Sequence, residues 1–158
     1  RDMDEQRIVS VEREVNAPAE EIFKLIADPA RQPEWDGNNN LASAEQGQRI
    51  SKVGQTFTME NTSGKTRVNH VVEFEEGRRI AWQPATPGEE PPGHLWRWEL
   101  EPIDHITTLV RHTYDWTELT DETRFERARK NTEAALAKSL ENLADLAEGV
   151  ASGAEVTD

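Results

Sequence analysis

The chain has 158 residues, which is the size of one domain with a buried core. It carries 18 Lys and Arg residues against 31 Asp and Glu residues, and this formal net charge of -13 disfavours nucleic acid and anionic membranes as partners. It has no cysteine, which excludes disulfides and thiolate metal sites, and no apolar run approaches the ~20 residues of a membrane span.

We therefore expect a single domain over residues 1–158, with an ordered core at about 7–149 and an acidic tail at 150–158. The first residues, RDMDEQRIVS, lack the apolar segment of a secretory signal. We expect a cytoplasmic location, no membrane insertion, no nucleic-acid partner and no cofactor. The expected oligomeric state is a monomer or a homodimer.

The first elements in chain order are a strand and two short helices. The stretch IVSVEREV at 8–15 alternates between apolar and polar residues, which predicts a strand with Arg13 on its apolar face. The stretch that begins at Pro18 predicts a helix, because two glutamates occupy its first turn and apolar residues form one side. Asp28-Pro29 ends this helix, and residues 30–36 predict a second, shorter one.

Between residues 41 and 117 the pattern changes to strands separated by turn signals, which predicts an antiparallel meander. Side chains alternate between the two faces of a strand, so the apolar and aromatic positions define one inward face. This rule assigns to the inward face Phe57, Met59, Asn61, Val68, His70, Val72, Phe74, Ile80, Trp82, His94, Trp96, Trp98, Leu100, Val110, His112, Tyr114 and Trp116.

The last predicted element is one long helix. After Thr120 no helix breaker occurs before Gly149, which predicts a continuous helix of roughly 40 Å. Its apolar stripe includes small residues, among them Thr132 and Ser139. The charged run RFERARK at 124–130 looks like a solvated helix face.

The segments VEREVNAPAEEIFKLIADPARQPEWDG, RRIAW, LWRWELEP and VRHTYDW resemble the START/Bet v 1-like (SRPBCC) superfamily. Within that superfamily they are similar to bacterial polyketide cyclase/dehydrase-like or lipid-transport-like proteins, over about residues 8–149. The resemblance implies an α+β helix-grip fold with a curved antiparallel sheet of about seven strands. Two short helices follow the first strand, and the sheet wraps a long C-terminal helix around a deep apolar cavity.

We predict that a hydrophobic small molecule binds in this cavity, because small helix residues leave volume unfilled and aromatic walls suit such ligands. Trp35 lies where the superfamily has its pocket entrance, and it is either a lid or the anchor of the short helix. The tryptophans are equally compatible with an ordinary core. The predicted lining is Trp35, Phe57, Met59, Val72, Trp82, Trp96, Trp98, Val110, Tyr114, Thr132, Leu136 and Ser139.

Polar residues on the inward face are further candidates, because buried polar groups need partners. His70, His94 and His112 are predicted to contact the ligand, and His70, His112 and Tyr114 are the candidate catalytic residues for proton transfer. Three histidines can also bind a metal, but no carboxylate stands at ligand spacing and no metal is predicted. An inward Arg13 needs an anion, which belongs either to the protein or to the ligand.

Three functions remain open. The favoured one is binding of an aromatic or polyketide/lipid-like molecule. The alternative is a polyketide cyclase, aromatase or dehydratase that uses an inward histidine or tyrosine for proton transfer. The third is an interaction module of the Hsp90-cochaperone type, which ADPARQPEWDG loosely resembles. No GxSxG, HExxH or GxGxxG motif occurs, so hydrolase and nucleotide-binding functions lack support.

Overall fold

The structure is a computed structural model, and it describes residues 5–149. Within these residues seven strands form one sheet in the order β1-β7-β6-β5-β4-β3-β2, and every neighbouring pair is antiparallel. The predicted tail at 150–158 lies outside the described residues. The strands are β1 (Ile8–Val15), β2 (Leu41–Ser43), β3 (Thr56–Asn61), β4 (Thr66–Glu75), β5 (Arg79–Ala85), β6 (Leu95–Asp104) and β7 (Thr107–Asp115).

Four α-helices complete the described part of the chain: α1 (Ala19–Ala27), α2 (Gln32–Trp35), α3 (Phe125–Arg129) and α4 (Glu133–Ala147). The helix α1 starts after Pro18 and carries Glu20 and Glu21 in its first turn, as its sequence predicts. The sheet is curved and its concave face packs on the C-terminal helix. The predicted α+β helix-grip fold, with two short helices after the first strand, is confirmed.

The C-terminal helix is shorter than predicted, because the chain leaves helical geometry between α3 and α4. Thr132 is extended and caps α4, since its hydroxyl accepts a hydrogen bond from the Ala135 N–H at 3.2 Å. Asn131 and Thr132 favour such a position over a helix interior, because their side chains compete with the helix for backbone groups. The helix α4 therefore has 15 residues. Its length is about 22 Å rather than the predicted 40 Å.

One strand departs from the predicted alternation. In β4 the register with β5 shifts between Val71 and Glu73, which marks a β-bulge. Val71 is buried on the concave face, whereas Val72 is 37% exposed. His70 is paired with Thr56 and Gln83 and faces the convex side.

The predicted inward face is therefore wrong for Val68, His70 and Val72. A shift of one residue exchanges the two faces of a strand, and the apolar run at the end of β4 fits either choice. Arg67, Asn69 and Val71 take the concave positions before the bulge, and Phe74 takes one after it.

The buried apolar residues form two clusters on the concave face. The larger cluster joins α1, α2 and α4 to the centre of the sheet and contains Phe23, Trp98 and Leu143. The smaller cluster lies near the end of β7 and contains Trp116 and Phe125. Trp96 is partly buried and packs against both clusters, so it stands at their border.

Candidate functional site

The centre of the concave face holds a closed aromatic group, here called the inner stack, made of Trp35, Trp98 and His112. The His112 ring lies parallel to Trp98 with the ring centroids 3.7 Å apart, and Trp35 meets Trp98 edge-on at 5.2 Å. Trp98 is 0% exposed. The Trp35 indole N–H donates to the Leu25 carbonyl at 2.9 Å. Trp35 thus anchors α2 to α1, which is one of the two roles that its sequence position left open.

His112 is fully enclosed within the inner stack. Burial lowers its pKa to about 3, against a weaker opposite effect from its hydrogen bond to the backbone. Its Nδ1 lies 3.1 Å from the Arg97 carbonyl oxygen, which can only accept, so Nδ1 carries the proton. His112 is therefore a neutral core histidine at neutral pH, held by stacking and one hydrogen bond.

Several other predicted lining residues are also packed core. Phe57 and Trp82 meet edge-on with centroids 5.4 Å apart, and both are buried. Met59 and Val110 are buried on the same face. These side chains lie on the concave face of the sheet, but other protein atoms cover them, so they offer little surface to a ligand.

The helix residues of the predicted lining have structural partners. Ser139 is buried, and its hydroxyl accepts a hydrogen bond from the Gly37 N–H at 3.0 Å. Leu136 belongs to the smaller cluster, and Thr132 is the exposed cap of α4. These contacts fasten α4 and the segment after α2 to each other.

Arg13 has a protein partner among the described residues. Its guanidinium lies 3.9 Å from the Glu148 carboxylate at the end of α4. The same carboxylate accepts a hydrogen bond from the Asn16 N–H at 2.8 Å. The anion that the sequence requires for Arg13 is thus supplied by Glu148, which ties the end of α4 to the end of β1.

The concave face is less covered at the start of β6 and the end of β7. Three rings meet there, His94, Trp96 and Tyr114, which we call the outer cluster. The Trp96 and Tyr114 centroids are 4.4 Å apart, and those of His94 and Tyr114 are 6.1 Å apart. His94 and Trp96 are only half-buried. The other four tryptophans are at most 6% exposed, so Trp96 is the tryptophan that solvent reaches.

The polar groups of the outer cluster are neutral near neutral pH. Burial, together with the weaker effect of the charges of Arg124, Arg67 and Arg127, lowers the pKa of His94 to about 4. Burial also raises the pKa of Tyr114 to about 12, against a weaker opposite effect of the neighbouring Asn131 side chain. The outer cluster therefore offers hydrogen-bonding groups without ionised rings.

The structure separates the three histidines that the sequence predicted together. His70 faces the convex side, His112 lies in the inner stack and His94 lies in the outer cluster. Among residues 5–149 no group of three His, Asp or Glu side chains is arranged to hold a metal. In the same range no helix is long and apolar enough to cross a membrane.

Sequence reasoning missed the charged and amide residues around the outer cluster. The predicted alternation of β4 is one residue out of register, so it puts Arg67 and Asn69 on the convex face. The charged run at 124–130 predicts a solvated helix face for Arg124 and Arg127, and Asn131 falls inside the predicted long helix. The dipeptide Asn131-Thr132 was a usable signal, because it is a common helix-start pattern.

A bent antiparallel sheet around a C-terminal helix, with an aromatic concave face, defines a helix-grip protein. The chain belongs to the polyketide cyclase / dehydrase and lipid transport family, whose model matches residues 6–148. The START/Bet v 1-like superfamily resemblance seen in the sequence is thereby confirmed.

Two uncharacterized proteins of Mycobacterium tuberculosis are similar in sequence. One, Rv0088, is 32% identical over 111 residues, which cover 68% of this chain and 47% of that protein. The other, MT0096, is 34% identical over 110 residues with the same coverage. The match to this chain thus spans about half the length of these curated relatives.

Solved structures share the fold at lower identity. Protein MLL2253 from Mesorhizobium loti is 20% identical with a TM-score of 0.65, over 89% of this chain and 96% of that one. The Aha1 dimer from Colwellia psychrerythraea is 21% identical with a TM-score of 0.60, over 90% of this chain and 97% of that one. At these identities the structures show a common fold alone.

Proposed function

We propose that this protein binds a hydrophobic, ring-containing small molecule of the aromatic, polyketide or lipid-like type against the outer cluster. The observation that carries the proposal is the partly exposed Trp96 on the concave face, next to Tyr114 and near His94. A large aromatic surface is normally buried in a domain that has room to cover it. A flat ligand that stacks on Trp96 would remove that surface from water.

The surrounding polar groups suit orientation of such a ligand. Small-molecule sites combine apolar walls with a few placed hydrogen-bonding groups. The Tyr114 hydroxyl, the Asn131 amide and the neutral His94 ring are such groups, and they border the Trp96 ring. Membership of a family described by polyketide cyclases and lipid transport also supports a hydrophobic ligand.

The inner stack contains one unpaired buried donor that the proposed ligand site does not use. Among residues 5–149 the Trp98 indole N–H has no acceptor within hydrogen-bond distance, although the atom is buried. An unpaired buried donor costs about 1 to 3 kcal/mol. Trp98 is 0% exposed in the inner stack, so this N–H is not part of the proposed ligand site.

The test is a fluorescence titration with phenylnaphthylamine, a neutral aromatic probe. We expect saturable binding to the wild type with quenching of tryptophan fluorescence. Trp96→Ala should weaken binding by about 1 to 3 kcal/mol, the scale of a well-packed aromatic contact. Trp116→Phe is the matched control, because it removes a tryptophan that packs against Phe125 in the smaller cluster. Equal affinities for wild type and Trp96→Ala would contradict the proposal.

A second candidate function is proton transfer on a bound polyketide-like substrate. It is favoured by Tyr114, whose protonated hydroxyl lies beside the neutral His94 ring. We expect Tyr114→Phe to lower turnover of a poly-β-ketone thioester ~100-fold while phenylnaphthylamine affinity stays nearly constant. Equal product formation with and without the wild-type protein would leave ligand binding as the function.

A further inference from the structure

Arginines elsewhere in the described part of the sheet are matched by carboxylates. Arg97 on β6 meets Glu73 at 2.7 Å, and Arg111 on β7 meets Glu12 at 2.7 Å. With a net charge of -13, the chain has carboxylates in excess. An arginine with no carboxylate at ion-pair distance among the described residues 5–149 is therefore a candidate contact for an external anion.

Two such arginines border the outer cluster. Arg67 is opposite Met59 on the concave face and half-buried, and its guanidinium donates to the Thr66 carbonyl at 3.0 Å. Arg127 lies on α3. Within residues 5–149 neither Arg67 nor Arg127 has a carboxylate at ion-pair distance, whereas their neighbour Arg124 meets Asp121 at 3.3 Å.

The packing of the helix and the strand position place both arginines on this side of the protein. Phe125 and Ala128 of α3, which flank Arg127, belong to the same buried cluster as Tyr114, and Trp96 packs against that cluster. Arg67 shares the concave face with these rings.

Burial lowers the pKa of Arg67, and the charges of Arg127 and Arg124 lower it further. The same three arginines act on His94, and Arg127 also acts on Tyr114. Arg67 is half-buried and Arg127 is exposed, and their like charges repel; an anion bound between them would offset that repulsion.

We infer that the bound molecule carries an anionic oxygen head group, held between Arg67 and Arg127, while its apolar body lies on Trp96. The inference rests on the proposed function and names the ligand class as an amphipathic anion. A guanidinium presents a planar fork of donors that matches two oxygens of a carboxylate or phosphate. The neighbouring Tyr114 hydroxyl and Asn131 amide offer further hydrogen bonds at the same place.

The first experiment compares two probes with nearly the same rings: neutral phenylnaphthylamine and the anionic anilinonaphthalene sulfonate, whose sulfonate stands in for the head group. We expect Arg67→Gln to weaken sulfonate binding about tenfold, the effect of one charged hydrogen bond, with less than a twofold change for the neutral probe. Arg127→Gln should act in the same direction. Because Arg127 is exposed, that variant tests the inference even where Arg67→Gln folds poorly.

The matched control is Arg79→Gln, which removes one positive charge from an arginine that is paired with Glu99 on the neighbouring strand. We expect both probes to bind this variant as they bind the wild type. Equal losses of sulfonate affinity in Arg79→Gln and Arg67→Gln would mean that only net charge matters, and would overturn the inference.

The second experiment identifies the head group by displacement of phenylnaphthylamine with naphthoate, naphthyl phosphate and the uncharged naphthalenemethanol. Stronger displacement by either anion than by the alcohol supports the inference, and the stronger anion distinguishes a carboxylate from a phosphate. Equal displacement by all three overturns it. If the wild type binds neither fluorescent probe, the proposed function fails as well. If it binds the neutral probe and Arg67→Gln leaves sulfonate affinity unchanged, this inference alone fails.

Discussion

The inner stack and the outer cluster are built on the same two strands but have opposite characters. Trp98 and Trp96 are two residues apart on β6 and point to the same face of the sheet. On the neighbouring strand β7, Trp98 pairs with His112 and Trp96 pairs with Tyr114. The inner position is covered by α2 through Trp35. The outer position lies where the chain leaves helical geometry between α3 and α4. The coverage by helices, rather than the strand pattern, decides which tryptophan is core and which is surface.

The polar groups of the inner stack and of the outer cluster also differ in their partners. In the inner stack, Trp35 and His112 bond to backbone carbonyls of the protein itself. In the outer cluster, His94 is half-buried, and Arg67 and Arg127 have no carboxylate at ion-pair distance within residues 5–149. The inner stack therefore serves stability, and the outer cluster is the part of the concave face that is suited to a ligand.

The largest expected effect is on Trp98→Ala. Removal of a fully buried ring that packs on Trp35 and His112 leaves a cavity, and we expect a loss of about 3 to 5 kcal/mol in the free energy of unfolding. Trp96→Ala removes a half-exposed ring and should cost about 1 to 2 kcal/mol. Urea midpoints of the two variants measure the difference. Equal losses would remove the distinction between the two regions.

The next effect concerns the pH dependence of stability. The pKa of His112 is about 3 in the folded protein and 6.5 in the unfolded chain, so between these values the unfolded chain binds an additional proton. Stability therefore falls as the pH decreases from about 6.5 towards 3. His112→Phe keeps a ring against Trp98 and removes the titrating group.

We expect wild type to lose about 2 to 3 kcal/mol more than His112→Phe between pH 6.5 and about pH 4.5, from a shift of this size. His94→Gln should remove a smaller part of the dependence, since solvent reaches His94 and screens its charge. The exposed His105 provides the control variant, His105→Gln. If the free energies of unfolding of wild type and His112→Phe change equally with pH, burial does not lower the pKa of His112 and the prediction is wrong.

The smallest expected effect concerns Gly37, which follows α2 and packs against α4. Gly37 lies so close to α4 that a Cβ would come within 2.5 Å of Lys138 Cγ and 2.7 Å of the Lys138 backbone. Its N–H donates to Ser139, and Asn38 donates to the Ala135 carbonyl at 2.8 Å. We expect Gly37→Ala to cost about 1 to 2 kcal/mol through overpacking.

The double variant Gly37→Ala with Lys138→Ala sharpens this test. It removes the side-chain clash but keeps the contact with the Lys138 backbone, so only part of the lost stability should return. Full recovery in a urea titration would show that backbone approach at Gly37 does not matter.

Local patterns predicted most of the fold. The alternation in β6 and β7 correctly placed Trp96, Trp98, His112 and Tyr114 on one face, because strand geometry depends on neighbours in sequence. The apolar side of α1 likewise depends on a short stretch. The bulge in β4 was not predictable, since pairing with β5 decides where the extra residue goes.

The sequence alone therefore determined the order of elements, the superfamily and the aromatic character of the concave face. The tertiary structure alone decided that Trp98 is core while Trp96 is accessible, and that Arg67 lies on the concave face. These relations join residues that are far apart in the chain: Trp98 is covered by Trp35 of α2, and Arg67 of β4 is paired opposite Met59 of β3. Burial and electrostatics depend on distance in space, and sequence patterns report only distance along the chain.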